Sequence, residues 1–238
     1  MAVSSNILDP NPTEGMMAIN NPAPRLLITS LFIAGLFFCT PTLFAGFPDP
    51  PSAQLKSRLG KETAVLAGGC FWGMEGVFER LRGVTKVTSG YAGGKKETAF
   101  YDKVETGRTG HAECVRIEFN PSQITFGTLL KVFFSIAHDP TQLYYQGPDK
   151  GTQYRSAIFY TSAEQKQIAE EYIRILNLAK TFSKPIVTQV TPLEAFYPAE
   201  AYHQNFLDRH PDYPYIVYWD LPKIERLKKE FPGLVSRP

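Results

Sequence analysis

The stretch from Thr63 to Gly83, TAVLAGGCFWGMEGVFERLRG, changes periodicity at a pair of glycines. Before the pair, TAVLAG is a compact apolar run of strand length. After it, Trp72, Val77, Phe78 and Leu81 recur at helical spacing, and Gly83 reads as the cap that ends the helix. Cys70 sits in the joint, between glycines and two large aromatics. A strand that gives way to a helix here places the sulfur at a helix N-terminus, where free N–H groups and the helix dipole favour an anion. That predicts a lowered thiol pKa and a reactive thiolate. Gly68, Gly69 and Gly73 read as clearings that let a substrate approach. The competing reading is a small buried hydrophobe, the commoner fate of a lone cysteine.

Outward from this joint, short strands and helices alternate. VTKVTSGYA (84–92) and HAECVRIEF (111–119) have strand alternation, while ITFGTLLKVFFSIAH (124–138) repeats Leu129, Leu130, Phe133 and Phe134 at helical spacing. YRSAIFY (154–160) and PIVTQVT (185–191) read as strands, and PAEAYHQNFL (198–207) as a short helix. Ser162 with Gln165 is a capping-box pair that opens a helix running to about Lys180. Near the C-terminus, Ile224, Leu227 and Phe231 make an apolar edge opposite a solvated KKE face. The pattern predicts an α+β domain, a mixed sheet packed by a few helices.

The 238 residues, 43% hydrophobic and 13% aromatic, suit one main domain. With 25 Lys and Arg against 23 Asp and Glu, the net charge of +2 gives no footprint for a polyanion, so no nucleic-acid partner is expected. Three cysteines, Cys39, Cys70 and Cys114, are too few for a disulfide framework, and no C-x-x-C pair offers zinc ligands; neither a metal nor a bound cofactor is expected. Residues 1–47 join a polar, proline-dotted leader to the apolar run LLITSLFIAGLFF (26–38) behind Arg25, with small residues near Ala45. This predicts a signal peptide, or a signal anchor if uncleaved, and hence the secretory pathway: endoplasmic reticulum lumen or secretion, with membrane-anchored and organellar fates as alternatives. Residues 48–60 read as a linker, and 61–238 as the folded domain.

A thiol needs an acid or base and a pocket. Strand alternation sends Glu113 and Cys114 to opposite faces, so if Glu113 faces Cys70, Cys114 points into the other layer and is structural. Otherwise Glu113 is a plain surface carboxylate. Cys70 with His111 would begin a thiol hydrolase or transferase. GPDKGTQYRSAIFY (147–160) carries Asp149, Tyr154 and Arg155 in a turn that feeds a strand, with ordinary turn chemistry as the bland alternative.

In this order, GGCFWG (68–73), GYAGG (90–94), TGHAE (109–113), HDPTQ (138–142), GTQYRSAIFY (151–160) and FYPAEAYHQNFL (196–207) resemble the A-type peptide methionine sulfoxide reductases, from about Ala64 to about Leu207. LLKVFFSIAHDPTQ has a plant-like look. The resemblance implies a two-layer sandwich with a ferredoxin-like core and a long irregular C-terminal segment ending in a short helix. It implies reduction of methionine sulfoxide, free or in proteins, with preference for the S epimer. Cys70 then matches the nucleophile, Glu113 the acid that protonates the sulfoxide oxygen, and Tyr101 and Tyr154 the phenols that hydrogen-bond it. Phe71 and Trp72 match the aromatics that clamp the S-methyl group, and Asp149 an acidic position at the pocket rim.

Many relatives regenerate the thiol through a cysteine in a glycine-rich C-terminal tail, but here no cysteine follows Cys114 and the tail is the amphipathic LPKIERLKKEF (221–231). Cys39 lies in the leader and Cys114 faces away by parity. A one-cysteine cycle is expected, with an external thiol (thioredoxin, glutaredoxin with glutathione, or another dithiol) reducing a Cys70 sulfenic acid in a monomeric enzyme. An anchored module that recognises oxidised methionine without turnover is the non-catalytic alternative.

Overall fold

The computed structural model describes residues 47–51 and 60–236. The expected signal segment up to residue 46, Cys39 and most of the expected linker lie outside the described residues. No helix among the described residues is long and apolar enough to cross a membrane.

The strand read from TAVLAG is β1, Glu62–Gly68, and it is central. It pairs antiparallel with β3, Ala112–Phe119, on one side and with β6, Ser156–Tyr160, on the other; Leu66 lies opposite both Val115 and Ile158. Covered on both faces, β1 can be apolar throughout, which is why its sequence is a run and not an alternation. β2, Val84–Ala92, pairs with the far side of β3 and sets Tyr91 opposite Glu113. Two short strands complete the sheet: β7, Gln189–Pro192, runs parallel to β6, and β8, Phe196–Pro198, runs antiparallel to β2. The order β7-β6-β1-β3-β2-β8 makes the mixed sheet the sequence predicts. A separate hairpin is built from β4, Tyr145–Gln146, and β5, Asp149–Lys150.

β1 and β2 both run against β3, so they are parallel to each other, and α1, Phe71–Glu79, crosses between them as a split β-α-β unit. α1 buries Phe71, Met74, Val77 and Phe78 on the same core as Leu66, Val115 and Ile117. That core also takes residues from α3, Phe126–Val132, and from α4, Ala163–Leu178. Between β2 and β3 lies the single turn α2, Tyr101–Val104. Across the sheet a smaller cluster holds Val65, Ala67, Ala92, Ala112, Cys114, Ala157 and Phe159. Ser162 caps α4 by accepting from the Gln165 N–H at 3.2 Å, as the capping box predicts.

Three local readings differ. α1 stops at Glu79, because the chain beyond it is drawn into a bridge between Leu81 and Val235, backed by Arg82 N–H to the Leu234 carbonyl at 2.7 Å. Gly83, with φ of +92°, therefore turns the chain into β2 and does not cap the helix. The segment 185–191 is extended strand only from Gln189. The segment 198–207 is no single helix: a 3-10 turn at Ala201–His203 is followed by α5, Phe206–Arg209, and Asn205 between them takes φ of +53°. Its backbone is tied to the sheet instead, since the Gln204 amide accepts from Ser89 N–H at 3.0 Å and donates to the Ser89 carbonyl at 3.0 Å. The C-terminal segment ends in a π-helical turn, Ile216–Asp220, and α6, Leu221–Glu230, which buries Ile224 and Leu227.

Candidate active site

Cys70 is the N-cap residue of α1 and is half-buried. Phe71 N–H, in the first turn of α1, donates to Glu113 Oε2 at 3.1 Å, and the Trp72 backbone N–H acts to lower the Cys70 pKa although the sulfur makes no cap hydrogen bond. The expected lowering by the helix end is therefore present, but it is outweighed. Burial first, then the charges of Glu113, Asp220 and Asp149, hold the thiol well above its ordinary range. This direction is opposite to the lowered thiol pKa expected from the helix end alone.

Glu113 is 2% exposed, and burial is the main reason its carboxyl is pushed up to about 8. The Phe71 N–H works against that rise and the charge of Asp149 adds to it. At neutral pH the group is mostly an acid. With Oε2 occupied as an acceptor from Phe71, the O–H falls to the other oxygen.

The other candidates converge on this pair. Tyr101, at the start of α2, is pushed up to about 12 by burial and then by the Glu113 charge. Tyr154, in the 3-10 turn before β6, is raised by burial and then by the charges of Glu113 and Asp149. Both remain donors at any physiological pH. Asp149, on the hairpin, accepts a short hydrogen bond from the Tyr215 hydroxyl, and burial raises its pKa. Phe71 and Trp72 present an aromatic wall: the Trp72 ring stacks on Phe206 at 3.8 Å between centroids and 8° between planes, and Trp72 Nε1 lies 3.2 Å from His203 Nδ1. Phe71 packs against His203 at 4.9 Å and Tyr91 at 5.9 Å.

Parity holds for the strand cysteine. Cys114 is fully buried on the opposite face of the sheet, its sulfur 3.5 Å from the Gly90 carbonyl. His111, the base of the hydrolase reading, is not brought to Cys70. Its Nε2 lies 3.0 Å from the Lys95 carbonyl, its ring packs at Gly94, and burial lowers its pKa. Arg155 serves as a staple, giving Nη1 to the His111 carbonyl at 3.0 Å and Nη2 to Gly110 at 2.9 Å just ahead of Glu113.

The glycines of GGCFWG are explained differently from the expected clearings. A Cβ on Gly73 would lie 2.0 Å from Asp220 Oδ1, one on Gly69 2.5 Å from Gln146 Cγ, and one on Gly68 2.9 Å from the His138 ring. They admit side chains that form the floor and wall of the site.

Those side chains are the ones sequence reasoning missed. Asp220 is fully buried, bridged to Lys223 at 3.0 Å, and raised chiefly by burial. Tyr215, His203 and Phe206 complete the wall around Trp72. Glu75, 1% exposed and pushed by burial to about 7, accepts the Asn205 N–H at 2.8 Å and so fixes the segment that carries His203 and Phe206. A signal for Glu75 was present: it lies one turn from Phe71 on the apolar stripe of α1. A signal for the rest was the density of aromatics in HPDYPYIVYWD (210–220).

A half-open thiol beside a carboxyl that keeps its proton, walled by rings and phenols, is equipment for thiol-dependent reduction of a small polar group. The family model described as peptide methionine sulfoxide reductase matches residues 62–233. An MsrA 2 of Mesorhizobium japonicum is 58% identical over 181 residues, which are 76% of this chain and 93% of that one. The MsrA of Sulfolobus acidocaldarius is 50% identical over 74% of this chain and 98% of its own. Among solved structures, methionine sulfoxide reductase A of Corynebacterium diphtheriae is 38% identical with a TM-score of 0.57, covering 70% of this chain and 82% of its own. Reduced Mxr1 from Saccharomyces cerevisiae is 34% identical with a TM-score of 0.58, covering 67% of this chain and 92% of its own. The chain belongs to the family of A-type peptide methionine sulfoxide reductases, oxidoreductases that return methionine sulfoxide to methionine and so repair oxidised proteins.

Proposed function

We propose that Cys70 is the nucleophile of this reduction and Glu113 its acid. The observation that supports this most is the Glu113 carboxyl, sealed from water, pinned through one oxygen by the Phe71 N–H and raised to about 8 next to the half-exposed thiol. Glu113 protonates the sulfoxide oxygen, which makes the sulfoxide sulfur more electrophilic and spares the oxygen from leaving as a dianion. Tyr101 and Tyr154 donate to the same oxygen as charge develops. Cys70 attacks the sulfoxide sulfur and its proton passes to the carboxylate left on Glu113; the substrate S–O bond then breaks as the hydroxyl moves to the Cys70 sulfur, and the new S–S bond cleaves to release the thioether. In balance, one thiol and one sulfoxide give one Cys70 sulfenic acid and one thioether. Phe71 and Trp72 hold the S-methyl group against ring faces, which favours the S epimer, and Asp149 supports the wall through Tyr215.

Cys114 lies across the sheet, so regeneration falls to an external thiol: thioredoxin, glutaredoxin with glutathione, or another dithiol. The first thiol displaces water from the sulfenic acid to form a mixed disulfide, and a second releases Cys70 as thiol. We assign a monomer, delivered to the secretory pathway by the leader, on the apolar run behind Arg25. A mature N-terminus near residue 46 would agree with that delivery and an intact Met1 would contradict cleavage.

The test is mass spectrometry after one equivalent of N-acetyl-methionine S-sulfoxide without reductant. One added oxygen on Cys70 is expected, formed roughly a hundredfold more slowly in Glu113→Gln. Methionine formation that survives Cys70→Ser would remove Cys70, and a Cys70–Cys114 disulfide as the main product would end the one-cysteine cycle.

A further inference from the structure

Ten large hydrophobic side chains stand exposed among the described residues, and only Leu178, at the end of α4, belongs to a segment without a site residue. Six of them fall in two triplets. Leu143, Tyr144 and Tyr145 lead into the hairpin that carries Asp149, and Leu143 is 50% exposed. Val217, Tyr218 and Trp219 form the outer side of the turn between Tyr215 and Asp220, with Tyr218 75% exposed. The triplets adjoin: a Cβ on the hairpin glycine Gly147 would touch the Trp219 ring at 3.4 Å. Neither triplet contains a charge. Soluble proteins seldom gather exposed apolar side chains without a use for them.

This patch is the wall of the pocket carried outward. Gln146, next to Tyr145, fills the space over Gly69 beside Cys70, and the same turn that shows Tyr218 to solvent sends Tyr215 inward to Asp149. A methionine sulfoxide that reaches Cys70 brings its backbone within one side-chain length of the sulfur, roughly 5 Å by covalent geometry. The residues before and after it must then lie on the rim.

We propose that this aromatic rim binds the residues flanking the oxidised methionine of a polypeptide substrate, and that it selects for apolar neighbours. The inference rests on Cys70 being the reacting thiol. Its occupant is a substrate chain, because the rim is continuous with the pocket that chain must enter. Apolar flanks remove ring surface from water, while polar flanks lose hydration for nothing in return.

The experiment compares three substrates with dithiothreitol as reductant: N-acetyl-methionine sulfoxide, and capped tripeptides with methionine sulfoxide between two leucines or between two glutamines. The neutral glutamines keep the nearby carboxylates out of the comparison. The leucine peptide is expected to exceed the glutamine peptide about tenfold in kcat/KM, chiefly through KM. The double substitution Leu143→Ser with Tyr218→Ser is expected to shrink that ratio to about twofold and leave N-acetyl-methionine sulfoxide turnover unchanged. Equal rates for the two peptides in the unaltered enzyme, or a ratio that survives the double substitution, would overturn the proposal. So would a double variant that keeps the ratio but fails only when reduced thioredoxin replaces dithiothreitol, which would give the rim to the reductant. Self-association abolished by the double substitution, with the peptide ratio intact, would give the rim to a second copy and equally overturn it. Unaltered enzyme inactive on N-acetyl-methionine sulfoxide would strike the Cys70 reading itself.

Discussion

Cys70, just past the end of β1, and Cys114, on the neighbouring β3, face different chemistry. Cys114 is packed among alanines, Val65 and Phe159, and burial lifts its thiol far above the ordinary range. Cys70 is lifted too, but its neighbours are Glu113, Asp149, Asp220 and a set of phenols, and it is only partly buried. Burial alone does not separate a working thiol from a packed one. In the proposed reading, access and a proton donor separate them: the sheet gives Glu113 and Cys114 adjacent positions on β3 and sends only the carboxyl to the side of Cys70.

If the two thiols were equivalent, exchanging either would cost the same. Cys70→Ser is expected to lower sulfoxide turnover with dithiothreitol by at least about a thousandfold, measured as methionine released. Gly73→Ala comes next, because its Cβ would displace the buried Asp220 carboxylate that stands 2.0 Å away. A loss of about 1–3 kcal/mol in urea unfolding is expected, with slower turnover; Gly233→Ala, in open space, should stay within about 0.5 kcal/mol. Glu75→Ala should raise KM roughly threefold to tenfold with a smaller change in kcat, since the segment bearing His203 and Phe206 loses its anchor, and Glu75→Gln, which keeps an acceptor for Asn205, should restore most of it. Smallest of all, Cys114→Ala should leave turnover essentially unchanged and lower stability by about 1 kcal/mol.

Much of this was legible because it is local. The apolar run into GGCFWG gives β1 and the start of α1, strand parity separates Glu113 from Cys114, and Ser162 with Gln165 marks the head of α4. The balance acting on the thiol was not legible, since a helix end is visible in sequence and the degree of burial is not; burial is the leading influence and raises its pKa. The C-terminal half of the site was hidden for another reason. Asp220 meets Gly73 and Tyr215 meets Asp149 across long stretches of chain, and such contacts leave no periodic trace. Tyr215 and Asp220, just ahead of the amphipathic α6, form part of the pocket wall.

The Glu113 proton can be examined directly. In the folded state its pKa is about 8 against an ordinary 4.5, so the native protein keeps a proton that the unfolded chain has lost. Its contribution makes stability fall as pH rises across that window and level off above it, a slope that Glu113→Gln should remove. The decisive measurement is the infrared difference spectrum between the unaltered protein and Glu113→Gln as pH is raised. A protonated carboxyl band assigned to Glu113 at pH 7, giving way to carboxylate with a midpoint near 8, is the expected result. A Glu113 already ionised at pH 6 would contradict the account, because no proton would then be ready for the sulfoxide oxygen.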